Sequence, residues 1–339
     1  MMGSKDTKSA ASPISPGQGQ LAFEDQDLFE HFEDSVETGI TEDTAKASVD
    51  ALLASASRYS TPSEYRDLVA FVGKLPRYSP FNRMLVHIQD PGAKYVATAA
   101  RWRSEFGREI TPGARPIIVL QPMGPVLIVF DVRHTEAVGP NPRPVPTSAT
   151  DPIAIGYRAP ETEIETRWSR IEHNAIRDGI RISLVDHGAH AGGSTTSRLS
   201  SGIMLSRPSR ARDAAGRPEK FPLRYDVEVN GTLRRRDQYA TLVHELAHIY
   251  CGHLGSPNEK NWPSRPRTPH DVEEVEAESV VHMIVSRVDP GVVMGDYIQG
   301  HLDKAGVPPG VSLNAMTKAA GLIEDMGDSW LPARKHGRG

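Results

Sequence analysis

The densest chemistry in this chain lies at residues 244–248, H-E-L-A-H. Two histidines four apart on a helix project from one face, a single turn apart. Their imidazoles can hold one metal ion at about 2.0–2.1 Å each. Glu245, next to the first histidine, lies beside such an ion rather than beneath it, where a carboxylate can take a proton from water. Leu242, Val243, Leu246, Ala247 and Ile249 make this a buried helix, and two imidazoles buried without partners would be costly. The pattern points to a zinc metallohydrolase of the zincin type, with His244 and His248 as metal ligands, Glu245 as general base and Zn2+ as cofactor.

A catalytic zinc takes three protein ligands and keeps one position for water. His253 follows His248 by five residues, a helical spacing that turns it away, so it reads as a residue of the helix C-terminal end. The acidic run E-V-E-A-E at residues 274–278 offers more. Glu274 and Glu278 share a helix face and His282 continues their row, whereas Glu276 stands about 200° round from Glu274. Glu274 is the first choice for third ligand, with Glu278 orienting a ligating histidine, as in thermolysin-like gluzincins. Asp271 and Glu274 also make a capping box, so the third ligand stays open among Glu274, Glu276 and Glu278. Hydrolysis of a peptide bond would then run through Glu245, which passes its proton to the leaving amine. Tyr250, His282, Tyr297 and Arg287 are candidate oxyanion donors, and nothing in the sequence selects one. A protein or peptide substrate would lie along a strand edge, either SSGIMLS or LRYDVEVNG.

The elements that must position these residues follow from composition and periodicity. The 339 residues are enough for two folded domains, and the fold class expected is α+β. Residues 1–43 are polar and acidic and read as a disordered tail. Residues 44–140 form a first α+β domain. Its helices are TAKASVDALLASAS, PSEYRDLVAFVGKL, SPFNRMLVHIQ and TAARWRSEFG, and its hairpin joins RPIIVLQP to GPVLIVFDV. The Pro-rich stretch GPNPRPVPTSATDP supplies a linker, residues 141–152. Residues 153–330 form the metallopeptidase domain, a mixed sheet plus the histidine-bearing helix, with the loop PSRARDAAGRPEKF between two strands, and 331–339 are a tail. No run of about 18 apolar residues is present to span a membrane. No signal-peptide core opens the chain, and the single cysteine, Cys251, suits a reducing cytosol. A cytoplasmic protein is expected.

HELAHIYCGH followed by EEVEAESVVHMIV resembles the C-terminal zincin domain of ArdC-type anti-restriction proteins and is similar to ImmA/IrrE metallopeptidases. YSPFNRMLVHIQDPGAKYVATAARWRSEFGREITPGARPIIVLQP resembles the single-stranded-DNA-binding domain of the ArdC type. The resemblance implies a metal-dependent, DNA-associated protein, with ligand roles on His244, His248 and Glu274 and the base role on Glu245. Charge and composition fit a nucleic-acid partner. Residues 1–60 hold four bases against eleven acids, residues 61–150 eleven bases against seven acids. Phe81, Arg83, Lys94, Tyr95, Arg101, Trp102, Arg103, Phe106 and Arg108 interleave aromatics with cations, the composition by which single-strand binders stack bases and follow phosphates. Arg83, Lys94, Arg101, Trp102, Arg103 and Arg108 are the candidate contacts. Two other readings stand beside this one. In the first, the zincin domain of a DNA-binding anti-restriction module is mainly structural. In the second, a regulatory protease cuts a repressor-like partner with no DNA role.

Overall fold

Thr61, Ser79 and Thr98 each stand just before an apolar-periodic run, and each caps a helix by accepting a backbone N–H three residues on. Helix α1, Pro62–Lys74, begins with Thr61 accepting from Glu64 N. Helix α2, Pro80–Gln89, begins with Ser79 accepting from Asn82 N. Helix α3, Ala99–Phe106, begins with Thr98 accepting from Arg101 N and stops at Gly107, whose φ of 61° is left-handed. The structure is a computed structural model and describes residues 59, 61–75, 77–121, 124–139, 144–145, 158–186, 188, 192–209, 218–292 and 296–334. The expected acidic tail, the helix at 44–57, all of the linker but residues 144–145, and residues 335–339 lie outside that set.

Strands β1 (Val96–Ala97), β3 (Ile117–Gln121) and β4 (Gly124–Asp131) form an antiparallel sheet in the order β1-β4-β3. The expected hairpin is its β3–β4 pair. The free edge of β3 is covered by α2. The Asn82 amide exchanges hydrogen bonds with Leu120 O and N at 2.8 and 2.9 Å, and Gln89 does the same with Ile118. Two amides seven residues apart on one helix face thus substitute for a neighbouring strand. Strands β2 (Arg108–Ile110) and β5 (Thr135–Ala137) pair antiparallel. Three residues each are too few to show alternation in sequence.

Helix α4, Glu161–Ala175, runs into a 3-10 turn, Ile176–Asp178, that closes at Gly179. A Cβ there would meet Pro222 O at 2.4 Å, and φ is 76°. Strands β6 (Ile180–Val185), β7 (Gly193–Ser197) and β10 (Tyr225–Asn230) form a second sheet in the order β6-β10-β7. In it β10 is parallel to β6 and antiparallel to β7. Strands β8 (Met204–Pro208) and β9 (Pro218–Pro222) make a separate ribbon. The loop expected across 208–221 is therefore interrupted by a strand, which two flanking prolines and Glu-Lys-Phe concealed. Helices α5 (Arg235–Tyr250), α6 (His270–Val285), α7 (Asp296–Ala305) and α8 (Leu313–Asp328) complete the described elements. The class is α+β. No described helix is long and apolar enough to cross a membrane.

Residues 40–339 form one unit. Its largest core joins Tyr65, Leu68, Val69 and Val72 of α1 to Val275, Val280 and Met283 of α6 and to Met316, Ala320 and Ile323 of α8. The Tyr65 hydroxyl shares a 2.6 Å hydrogen bond with Ser279 Oγ, so α1 seals the back of the helix that carries the acidic run. On α8, burial and the neighbouring charges of Glu324 and Asp328 push the Asp325 carboxyl up to about 6. A raised acid pKa means that the folded chain holds a proton the unfolded chain has released. The associated stability is present at low pH and is lost as pH rises from about 4 through 6. A carboxylate in the last turn of a helix also opposes the macrodipole. Asp325→Asn is therefore expected to raise the melting temperature at pH 7.5 by about 1–3 °C and to add little at pH 4. A calorimetric comparison at the two pH values that shows no gain at pH 7.5 would refute this.

Candidate metal centre

Two helices bring the chemistry together. Helix α5 presents His244 and His248 one turn apart, and α6 packs alongside it with Glu274 opposite. The Nε2 atoms of the two histidines lie 3.1 Å apart. The Glu274 carboxylate lies 3.6 Å from each of them. These three ligand atoms all fall within 4.8 Å of one another. Two imidazole nitrogens and one carboxylate at such separations suit a divalent ion bound by three protein ligands with a side left open. The three side chains are 25%, 14% and 25% exposed, so the site opens to solvent.

Glu278 follows Glu274 by one turn and lies 3.7 Å from His244 Nδ1, behind that imidazole. Glu276 faces the other way, as its angular position requires. It is wholly buried and bonded to His253, Arg265 and Ser312. His270, exposed at the start of α6, stands 3.6 Å from the Glu274 carboxylate.

Glu245 is buried, with 8% of its surface exposed. Its carboxylate accepts a 2.6 Å hydrogen bond from Thr195 Oγ1 on β7. That contact needs β7 close against α5, and Gly193 permits it. A Cβ at Gly193 would meet Thr241 Cγ2 at 2.6 Å and Glu245 Oε1 at 3.2 Å. Gly-Ser-Thr-Thr-Ser has neither the apolar alternation nor the bulk of a typical strand, so β7 was not legible in advance. One of the two expected substrate edges needs correction: LRYDVEVNG supplies β10, whose two sides are both taken, whereas SSGIMLS enters β8, which pairs with β9 on one side. The strand edge beside Glu245 belongs to β7.

Charges around the two imidazoles act in opposite senses. Burial opposes protonation of His244, but Glu278, Glu245 and Glu274 outweigh it and raise its pKa above 6.5. For His248, burial and then the neighbouring His244, His253 and His270 lower the value to about 3.

The candidate oxyanion donors separate. The Tyr250 hydroxyl donates to Asp178 at 2.9 Å inside the core, and Arg287 donates to Leu75 O at 3.3 Å and lies 3.5 Å from Glu324. Both are held away from the site. His282 is one turn beyond Glu278, and burial lowers its pKa. The side chain of Tyr297 lies outside the described residues.

The candidate nucleic-acid residues do not form one surface. The Trp102 side chain is wholly buried against Tyr95 and Phe106, and its Nε1 donates to Phe130 O at 2.9 Å. It has no face open to a base. Arg83 is buried in a two-pronged ion pair with Glu324 at 2.9 Å. Arg101 pairs with Glu105 at 2.8 Å, and Arg108 is tied to Thr135. Lys94 and Arg103 are exposed. Aromatics four apart on an amphipathic helix went to the core, the commoner use of that spacing.

No protein-family model matches this chain, and no curated protein matches it. Among solved structures the chain is similar to the metal-free antirestriction ArdC protein from the R388 plasmid. That comparison gives 12% identity over 82% of this chain and 96% of that one, with a TM-score of 0.37. The Mn(II)-bound structure of the same protein gives 14% identity over 85% and 98%, again with a TM-score of 0.37. Likeness at this level is remote and leaves the site's own geometry to support a function.

Proposed function

We propose that the protein is a divalent-metal-dependent hydrolase of the zincin type, with zinc as the resident ion and a peptide bond in a protein partner as its target. The observation that carries this reading is the convergence of His244 Nε2, His248 Nε2 and the Glu274 carboxylate. The donor set, two imidazoles and a carboxylate, is the kind that catalytic zinc uses. When bound, the ion would act as a Lewis acid toward water and a carbonyl oxygen. The chain's own residues do the rest. His244, His248 and Glu274 are the residues that would hold the ion. Glu245, adjacent in sequence to His244, takes the proton of the attacking water and delivers it to the departing amine. Thr195 fixes the Glu245 carboxylate through its 2.6 Å hydrogen bond. The β7 edge offers backbone groups along which an extended peptide can lie as an added strand.

Single-stranded DNA binding by residues 44–140 belongs to the same proposal on narrower grounds, the exposed cations Lys94 and Arg103 rather than stacked aromatics. Metal analysis of the purified protein tests the central reading. One zinc per chain is expected, falling to well below one in His244→Ala. Wild-type protein without stoichiometric metal, even after incubation with zinc, would remove the reading.

A further inference from the structure

His253 is not where helical spacing places it. Helix α5 ends at Tyr250 with Cys251 as its cap, and Gly252 follows with a φ of 89° that reverses the chain. A Cβ at Gly252 would meet Pro263 O at 2.2 Å, so glycine is needed for both the turn and the approach. The reversal returns His253 beneath the helix, where its N–H bonds His248 O at 3.0 Å. Its ring then lies against the ligand itself: His253 Nδ1 is 3.0 Å from His248 Nδ1. On its far side His253 Nε2 is 2.9 Å from Glu276 Oε2. The two side chains are 2% and 0% exposed, so this chain of contacts runs through dry interior.

The direction of the hydrogen bonds follows from counting acceptors. Glu276 Oε2 accepts from Arg265 Nη1 at 2.6 Å as well as from His253, and Oε1 accepts from Arg265 Nη2 at 2.8 Å and Ser312 N at 2.7 Å. The carboxylate is an acceptor at every contact, so His253 Nε2 must donate. A neutral His253 then has only a lone pair at Nδ1, and His248 Nδ1 must donate into it. That leaves the lone pair of His248 on Nε2, the nitrogen that faces His244 and Glu274. Arg265 neutralises the buried carboxylate and fixes its plane. His244 is backed by one carboxylate at 3.7 Å. His248 is backed through an intervening imidazole by shorter contacts.

We propose that His253 and Glu276 are positioning residues of the metal centre. They form a relay, clamped by Arg265, that sets the tautomer and ring orientation of His248 so that Nε2 is presented for metal. The proposal rests on the metal-centre reading above and adds that one ligand is held by groups outside the H-E-x-x-H segment and the Glu274–Glu278 row.

The test uses the full chain, Co(II) competed against a chelator, and 15N NMR of histidine-labelled metal-free protein. His248 is expected as the Nδ1–H tautomer in the metal-free wild type. His253→Leu, which can neither accept nor donate, is expected to bind Co(II) about 10–100-fold more weakly. His253→Gln, whose amide can accept from His248 and donate to Glu276, is expected to recover most of that loss. A purely structural role would lower the melting temperature without setting the tautomer or distinguishing Gln from Leu in Co(II) affinity. An Nε2–H tautomer at His248, or His253→Leu affinity within about two-fold of wild type, overturns the relay. Should His253→Leu fail to fold, the wild-type tautomer and the Gln variant still decide. His244→Ala separates the two levels. If it binds Co(II) as wild type does, the metal-centre reading fails. If it loses Co(II) while His253→Leu keeps it, the relay alone fails.

Discussion

Glu245→Gln is expected to keep its metal and to lose about 10²–10⁴-fold in hydrolysis rate. The substitution is nearly isosteric, so it leaves undisturbed the close approach of Gly193, where a Cβ would stand 3.2 Å from Glu245 Oε1. The amide oxygen can still accept from Thr195 Oγ1, which now sits 2.6 Å from the carboxylate. What disappears is the basic oxygen, while His244, His248 and Glu274 are untouched. The measurement is cleavage of an unfolded protein such as casein, or of a fluorogenic peptide library, alongside metal content. A variant with intact metal and activity within ten-fold of wild type would mean that Glu245 is not the base. Loss of activity together with metal would instead point to a structural role for this carboxylate.

The site was legible in unequal parts, and the reason is local geometry. His244, Glu245 and His248 lie within one and a half turns of a regular helix, where sequence spacing fixes direction. Glu274 and Glu278 face the histidines and Glu276 faces away, as their angular positions on α6 require, because no irregularity intervenes there. His253 was misplaced because the same arithmetic was carried across Gly252, a left-handed residue just past the helix end that reverses the chain. A glycine at that point was visible, but its effect on the next side chain depends on the close packing of Pro263. Arg265 and Ser312, which meet Glu276 from 11 and 36 residues away, carry no pattern at all. Strand β7 was hidden for a different reason. Its side chains are small so that it can approach α5, which removes the periodicity by which strands are recognised. The capped helices α1 to α3 and the β3–β4 hairpin were readable since caps, β-branched runs and turn residues agree with one another.

Arg83→Ala is expected to destabilise the fold by about 3–5 kcal/mol, because it strands a buried carboxylate. The guanidinium is 4% exposed and Glu324 11%. The pair is two-pronged at 2.9 Å, and Arg83 also donates to Val72 O at 3.1 Å. It therefore ties α2 to α8 and to the end of α1. Arg287, 3.5 Å from Glu324, offsets part of the loss and sets the lower end of that range. Replacing both partners, Arg83→Met with Glu324→Leu, removes the buried charge along with its partner and is expected to recover much of the stability. Arg103, with 67% of its side chain exposed, should change stability by less than about 0.5 kcal/mol when made Ala. Urea melts of the four proteins measure this directly. The same variants separate packing from nucleic-acid contact. In a gel shift with a single-stranded oligonucleotide, Arg103→Ala should weaken binding without unfolding, whereas Arg83→Ala should weaken it only where the chain is no longer folded. An Arg83→Ala protein within about 1 kcal/mol of wild type would show that the Glu324 pair is not the clamp its burial implies.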